Sequence, residues 1–225
     1  MSTLLLRLAA PMQAWGSDSR FEVRRTGREP TKSGVVGLLA AALGRSRDDS
    51  IDDLCQLRFG VRVDQEGQLL RDFHTAHQGA KTAYVTQRYY LCDAVFLVGL
   101  ESEDEEWLQE LNRALQSPVY PLFLGRRSCP PTLPLTLGIR EENLVDALKK
   151  EPWQASLWMQ RRLGKKQQML RLMTDAHCGG RNIGLQRDFP VTFHISARTY
   201  IYRGMEEHLP VVPPEVMHDP MSELS

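Results

Sequence analysis

The order of the apolar segments constrains the fold of this chain more strongly than any other feature. Alternating leucines over residues 4–8 predict an opening strand, and the small apolar residues 34–43 predict a buried helix. The other core segments are apolar strands over residues 59–63, 94–100 and 133–137 and an amphipathic helix over residues 104–116. The order strand, helix, strand, excursion, strand, helix, strand predicts an α+β fold of the ferredoxin-like (RRM-like) type, with a hairpin inserted between its second and third strands.

Two segments do not fit the core pattern. Residues 11–31 are rich in Gly, Ser, Arg and Pro, which is typical of a long functional loop. Residues 69–90 are polar, basic and aromatic without a clean period, and we expect an extended hairpin that leaves the core.

The predicted domain organisation follows from these segments. It has a palm over residues 1–138 with a hairpin over about 68–92, an irregular β-rich extension over 139–205 packed on the palm, and a flexible tail over 206–225. Within the extension we expect a helix over residues 143–149 and strands over 167–173 and 191–202.

Composition excludes several classes of protein. The four cysteines lie far apart without a Cys-x-x-Cys pair, which argues against a disulfide framework or a zinc clasp. The first apolar run contains Arg7 and has no basic residue before it, unlike a signal peptide, and residues 34–43 are too few to cross a bilayer. We therefore expect a cytoplasmic protein.

The histidines do not predict a metal site or a catalytic centre. His74 and His77 are three residues apart but have no acidic or cysteine partner at a ligand spacing. The chain has neither a Gly-x-Ser-x-Gly motif nor a paired-carboxylate pattern. We expect no catalytic residue, no metal and no cofactor.

The charges of the chain sum to zero but are segregated along it. An acidic block occupies residues 101–110. The basic residues form three clusters, which are Arg20, Arg24, Arg25, Arg28 and Lys32; Arg126 and Arg127; and Arg161, Arg162, Lys165, Lys166 and Arg171. Separate basic patches suit local contact with a polyanion, although ordinary solvated faces would give the same pattern.

The segment before the first helix resembles the end of a phosphate-binding loop. Lys32 and Ser33 match that motif, but Thr26 and Thr31 stand where it requires glycines, so nucleotide hydrolysis is not expected. A helix N-terminus beside a lysine is still a good phosphate site, with simple capping as the alternative.

Two further segments combine cations with features that suit RNA. The turn Gly125, Arg126, Arg127 and Ser128 lies between apolar strands, where glycine allows close approach and arginines can bind phosphate or stack on bases, although a plain surface turn is the alternative. The hairpin interleaves cationic and aromatic side chains, which are His74, Lys81, Tyr84, Arg88, Tyr89 and Tyr90. Such a mixture stacks on single strands, although strands favour tyrosine for other reasons as well.

Five strings carry a resemblance to a known family. They are LRLAAPMQAWG (6–16), PTKSGVVGLL (30–39), RDFHT (71–75), YLCDA (90–94) and LGRRSCP (124–130). In their order and separation they resemble the CasD-type RAMP subunits of type I-E CRISPR Cascade, over roughly residues 3–138. The resemblance implies a ferredoxin-like palm with a thumb hairpin.

The resemblance also implies partners and contact residues. Subunits of this type bind the 5′ handle of the crRNA, cap the backbone filament, and contact both the backbone subunit and the large PAM-reading subunit, so that target DNA is met through the complex. Transferred to this chain, the handle-binding elements correspond to the loop that holds Met12, Gln13 and Trp15, to Lys32 and Ser33, and to residues 126–128. Arg88 corresponds to a thumb arginine near the junction of handle and spacer.

The resemblance implies a clamp without turnover, in which the basic loop and the Arg126–Arg127 turn fix handle phosphates. Relatives in type I-C systems give an alternative, a metal-independent endoribonuclease that cuts repeat RNA. His74, Lys81, Tyr84 and Tyr89 are the residues that could act there as general acid or base. A standalone binder of single-stranded RNA is a third possibility.

Overall fold

The computed structural model describes residues 1–16, 22–78, 82–163 and 168–214, with the backbone alone for residues 76–78, 82 and 83. The strands are β1 (Ser2–Ala9), β2 (Met12–Gln13), β3 (Val23–Arg24), β4 (Arg58–Gln65), β5 (Gln68–Gln78), β6 (Thr82–Cys92), β7 (Val95–Ser102), β8 (Thr136–Arg140), β9 (Leu172–Asp175), β10 (Arg181–Thr192) and β11 (Thr199–Glu207). The helices are α1 (Lys32–Ala42), α2 (Asp52–Cys55), α3 (Glu105–Gln116), α4 (Leu144–Lys150) and α5 (Leu157–Leu163). The chain is thus a mixed α/β protein.

A seven-stranded antiparallel sheet forms the centre of the molecule, in the order β10-β11-β9-β4-β7-β1-β8. Alternation along β1 directs Leu4, Leu6 and Leu8 to the face covered by α1 and α3, and Leu5 to the face covered by α4. The sheet is therefore buried on both sides at its middle.

The two long helices follow the sequence pattern. Thr31 caps α1 by accepting a hydrogen bond from the Gly34 N–H (3.2 Å), and Asp104 caps α3 by accepting one from the Trp107 N–H (3.0 Å). The predicted order of strands and helices through β8 is confirmed, and so is the helix expected over residues 143–149.

A second, smaller sheet carries the hairpin. β5 pairs along its whole length with β6, while β2 and β3 pair with the other edge of β6. The β3–β6 pairing is parallel, with Arg24 beside Arg88. The predicted hairpin is confirmed, although Lys81 lies outside the described residues.

The C-terminal strands extend the large sheet through β9, and one prediction fails there. One strand was expected over residues 191–202, but the chain turns between β10 and β11, where the Thr192 hydroxyl accepts the His194 N–H (3.1 Å). Within the segment predicted to be a frayed tail, β11 continues through Glu207 and Val211 pairs with Leu170. Residues 215–225 lie outside the described residues.

No helix in the described part of the chain is long and apolar enough to cross a membrane.

Candidate functional site

The N-terminal loop and the loop at residues 125–128 meet beside the base of the hairpin. The Ala14 N–H donates to the Leu124 carbonyl (3.1 Å), and Gly125 adopts a positive φ of +84°. A Cβ atom at Gly125 would stand 1.7 Å from the Ala14 carbonyl oxygen. Glycine is therefore required at position 125, because it lets one loop backbone touch the other.

Buried hydrogen bonds of the Gln13 and Trp15 side chains stabilise the N-terminal loop. The Gln13 amide donates to the carbonyls of Leu8 (3.1 Å) and Ala94 (2.7 Å) and accepts from the Trp15 indole N–H (3.0 Å). Gln13 is 0% exposed and Trp15 1% exposed. Both residues were expected to contact RNA; in this structure the polar groups of both side chains are hydrogen-bonded within the protein. Met12, which precedes them in β2, is half-buried.

Arg126 links the two loops to the hairpin. Its guanidinium lies over the Tyr90 ring, 4.6 Å from the centroid, and its Nη2 donates to the carbonyls of Arg24 (2.9 Å) and Arg25 (3.4 Å). Because Arg24 lies beside Arg88 in the register of β3 and β6, the two share a face of the small sheet. We call the group Arg24, Arg88, Tyr90, Arg126 and Ser128 the arginine site.

The arginine site changes the acidity of Tyr90, which is buried. Burial raises the pKa of the Tyr90 hydroxyl, but hydrogen bonding with Ser128, Arg126 and Arg88, together with the positive charge of Arg126, outweighs it and brings the pKa below its ordinary value. Sequence reasoning noted Tyr90 only as one aromatic residue of the hairpin. The spacing Arg-x-Tyr in a strand, which puts Arg88 and Tyr90 on one face, was the available signal.

Two donor atoms of the arginine site form no hydrogen bond with the described residues. Arg88 Nε and Arg126 Nη1 are enclosed and have no hydrogen-bond partner among the described residues. Buried donors on a cation are costly to leave unpaired, and a phosphate or another anion is the partner that matches them.

Lys32 belongs to a different environment. It is 5% exposed, and its Nζ donates to Asp175 (2.8 Å) and to the Leu57 carbonyl (2.9 Å). The Lys32 backbone N–H, at the start of α1, donates to the Asp188 carboxylate (2.9 Å), which Arg203 also binds. At the helix N-terminus where a phosphate was expected, the Lys32 N–H is thus hydrogen-bonded to a carboxylate of the protein.

The other predicted contact residues lie outside this cluster of loops or on its surface. Ser33 is half-buried, and its hydroxyl donates to Thr31 Oγ1 (3.4 Å). Arg25, Arg28 and Arg127 are exposed. Of the basic clusters, Arg20, Lys165 and Lys166 lie outside the described residues, and Arg171 is paired with Glu29 (3.1 Å).

The hairpin divides the residues considered for ribonuclease chemistry. His74 pairs with Thr86, and its Nε2 lies 2.5 Å from an Asp72 oxygen. By register, His74 and Tyr84 lie on the face of Arg88, whereas Tyr89 lies opposite Arg71 on the other face. Tyr89 therefore does not share a face with His74 and Tyr84, and Lys81 lies outside the described residues.

Solved structures define the class of protein to which this fold belongs. One chain of a CRISPR RNA-guided surveillance complex superposes with a TM-score of 0.80 and 31% sequence identity, over 99% of this chain and 97% of that one. The crystal structure of a Cas protein superposes with a TM-score of 0.70 and 41% identity, over 95% of this chain and 98% of that one. The fold is thus that of an α/β Cas protein.

Sequence comparison gives the family. The chain belongs to the CRISPR-associated protein family (Cas_Cas5), which it matches over residues 3–206. It is 44% identical over 158 residues to the CRISPR system Cascade subunit CasD of Escherichia coli (strain K12), a match that covers 61% of this chain and 70% of that relative. The resemblance seen in the five sequence strings is confirmed.

Proposed function

We propose that this chain is the non-catalytic subunit of a type I-E CRISPR Cascade complex that binds the 5′ handle of the crRNA. In that role it caps the backbone filament and helps to anchor the large subunit for recognition of target DNA in the cytoplasm. Guide-to-target pairing supplies sequence recognition in such complexes, so the protein contributes geometry and backbone contacts.

The arginine site is the observation that supports this proposal. Arg24, Arg88 and Arg126 converge from three separate segments, and two of their enclosed donors have no partner among the described residues. A cluster that serves only the fold would pair its donors with carboxylates, as Lys32 and Arg203 do with Asp175 and Asp188. These two donors form no hydrogen bond with a carboxylate of the described residues, and an incoming phosphate is a partner that suits them.

The strand order supports a corresponding architecture. The elements β1, α1, β4, β7, α3 and β8 give the sheet order β4-β7-β1-β8, and we assign them to a ferredoxin-like RAMP palm within residues 1–138. The β5–β6 hairpin is then the thumb, and residues 139–205 are an extension that continues the palm sheet.

A phosphate of the RNA backbone would bind the guanidinium groups of the arginine site. The Arg126 guanidinium lies over the Tyr90 ring and donates a hydrogen bond to the Arg24 carbonyl. It therefore loses little conformational freedom when it binds the RNA. Arg25, Arg28 and Arg127 are exposed around it and add positive charge along the path of the strand.

The proposal is tested by RNA binding of single-arginine variants. We expect Arg126→Ala to weaken binding of a handle oligonucleotide about tenfold or more, because a charge-assisted hydrogen bond contributes about 1.5–3 kcal/mol. The slope of log affinity against log salt should fall by about one, as for one lost phosphate contact.

Arg113→Ala is the matched control, because it removes the same charge from α3, where Arg113 Nε donates only to the Gln109 carbonyl (3.4 Å) within the described residues. Equal affinities for the Arg126 and Arg113 variants would contradict the proposal. Retention of guide RNA and of the other subunits by the Arg126→Ala, Arg127→Ala double variant would contradict it as well.

The proposal that the chain is not a ribonuclease is tested separately. The pure protein is incubated with repeat RNA in a chelator, and we expect the RNA to stay intact. A product ending in a 2′,3′-cyclic phosphate, lost in His74→Ala, would show an endoribonuclease instead.

A further inference from the structure

A second group of cations lines a cleft in the C-terminal part of the molecule. The cleft has a volume of about 480 Å³ and lies between the end of α4, the turn after β9 and the segment that follows β11. Its charged lining consists of three cations and one carboxylate, which are Lys149, Arg171, Arg181 and Glu207. None of its described lining residues belongs to the arginine site. The volume suits a small organic ligand, for which pockets of about 300–1,000 Å³ are typical.

Two of these cations have no carboxylate partner. Lys149 and Arg181 are exposed, and neither side chain forms a hydrogen bond or an ion pair with a described residue. Arg171 is paired with Glu29 (3.1 Å) and lies 3.7 Å from Glu207. The cleft therefore keeps an excess of positive charge.

His208 lies in the wall of the cleft and is affected by this charge. It is 9% exposed, and its Nε2 lies 2.9 Å from the Thr174 hydroxyl oxygen. Burial, and then repulsion by Lys149, lower the pKa of His208, while Glu206 acts in the opposite direction. The charged groups around the imidazole are Lys149 on α4, Arg171 before β9, Arg181 on β10, and Glu206 and Glu207 on β11. The positive charge that disfavours a proton on this imidazole favours an anion beside it.

The two acids of β11 beside the cleft are already bound within the protein. Glu206 accepts hydrogen bonds from three backbone N–H groups, which are those of His177 (2.8 Å), Cys178 (3.0 Å) and Gly180 (2.9 Å). These bonds lower the pKa of the Glu206 carboxyl group, and Arg171 lies beside Glu207. Their negative charge is thus partly compensated, and Lys149 and Arg181 remain available to a ligand.

We propose that this cleft binds a phosphate group, carried by a free mononucleotide or by a nucleic-acid strand. The guanidinium fork of Arg181 matches phosphate oxygens, and the Lys149 ammonium adds a mobile point charge. A bound dianion favours the charged form of His208, so binding of the anion and protonation of this imidazole support each other. The cleft and the arginine site share no residue, so the phosphate site does not rest on the proposed function.

Sulfate is the probe for the site itself. It has the charge and shape of a phosphate group and remains a dianion between about pH 5 and 8, so a pH dependence of its binding comes from the protein. The readout is the NMR signal of the His208 imidazole in the full chain, assigned by its loss in His208→Gln. This signal reports on the cleft even if sulfate also binds the arginine site.

Two double variants form a matched pair. Lys149→Gln with Arg181→Gln removes the two unpaired cations. Lys150→Gln with Arg187→Gln removes the same charge from the next position of α4 and from the same strand, β10. Neither Lys150 nor Arg187 lines the cleft, and all four side chains are exposed, so both variants should fold.

We expect sulfate to raise the pKa of His208 in the wild type and to bind more tightly as the pH falls, since a complex with a raised pKa takes up a proton. The dissociation constant should be about tenfold higher or more in Lys149→Gln with Arg181→Gln, because two charge-assisted contacts are lost. It should stay within about twofold of the wild type in the control variant. Lys149→Gln and Arg181→Gln alone should each give a smaller loss in the same direction.

Two further titrations distinguish the sources of the phosphate. AMP is the probe for a free nucleotide, and a single-stranded oligonucleotide without the handle sequence is the probe for a strand. Binding of AMP that is weakened in Lys149→Gln with Arg181→Gln assigns the cleft to a nucleotide. Binding of the oligonucleotide that is weakened in this variant, but not in Arg126→Ala, assigns it to a strand.

Two results would overturn the phosphate site. A His208 signal that does not respond to sulfate at any concentration would show that no anion binds in the cleft. Equal dissociation constants for the two double variants would show only a general attraction by surface charge. Failure of the proposed function would be seen elsewhere, as handle binding that does not depend on Arg126.

Discussion

Gly125 offers a sharp test of how the two loops build the arginine site. In Gly125→Ala the new Cβ would stand 1.7 Å from the Ala14 carbonyl oxygen, whereas ordinary contacts begin at 3.4 Å. The loops must separate by well over an ångström, which breaks the hydrogen bond from Ala14 to Leu124 and shifts Arg126 from the Arg24 carbonyl.

The magnitude follows from these contacts. Holding alanine at a positive φ costs roughly 1–2 kcal/mol, and each hydrogen bond lost adds about 1 kcal/mol. We expect the free energy of unfolding of Gly125→Ala to be about 3 kcal/mol lower than that of the wild type, or the loss to be smaller where the loops move apart. In the relaxed case handle affinity should fall about tenfold or more, because the arginine site is no longer assembled.

Gly179→Ala separates strain from clash. Gly179 has a φ of +83°, almost the same as Gly125, but a Cβ there meets nothing within 4 Å. Chemical unfolding and fluorescence anisotropy with a handle oligonucleotide are measured for both variants. We expect Gly179→Ala to lose about 1 kcal/mol of stability and to bind RNA normally. If both variants lose the same stability and both bind RNA like the wild type, the contact between the loops does not organise the site.

Three other outcomes are expected. Arg62→Met should lower the free energy of unfolding in urea by about 3–5 kcal/mol, because the fully buried guanidinium pairs with Asp64 (2.7 Å), whose carboxylate would stay buried without its guanidinium partner; an unchanged midpoint would contradict this. Tyr90→Leu should weaken handle binding more than Tyr90→Phe, since only phenylalanine keeps a ring under the arginine, a contact worth about 1 kcal/mol; equal losses would show that the hydroxyl alone matters. Burial, and then repulsion by Lys149, lower the pKa of His208 below its ordinary 6.5. As the pH falls, the imidazole is protonated first in the unfolded chain, so the free energy of unfolding decreases as the pH falls through about 6.5. His208→Gln should flatten this pH dependence when unfolding is measured from pH 5 to 8.

The sequence predicted the central fold because its signals are local. The alternating leucines in β1 and the apolar side of α3 each indicate one buried face. This pattern can be recognised without knowing which elements pack against that face. The C-terminal strands were harder to predict because the alternation of Val191, Phe193 and Ile195 continues through a turn. The hydrogen bonds of Thr192 and His194 decide that turn, and they depend on side-chain geometry.

The site was predicted in part for the same reason. Arg88, Arg126 and Ser128 were identified from their composition and from the family resemblance, and the structure brings them together around Tyr90. Lys32 was assigned to phosphate because a lysine at a helix N-terminus suits an anion. Nothing near it in the sequence shows that the anion is Asp188, which lies 156 residues further along the chain.

The parallel pairing of β3 with β6 couples the position of the hairpin to that of the arginine site. The Gln87 N–H donates to the Glu22 carbonyl (2.7 Å), so the strand that leaves the palm is fastened to the loop that holds Arg24. A tilt of the hairpin therefore moves the carbonyl to which Arg126 donates. Whatever fixes the position of the hairpin therefore also sets the position of Arg88 relative to Arg24 and Arg126.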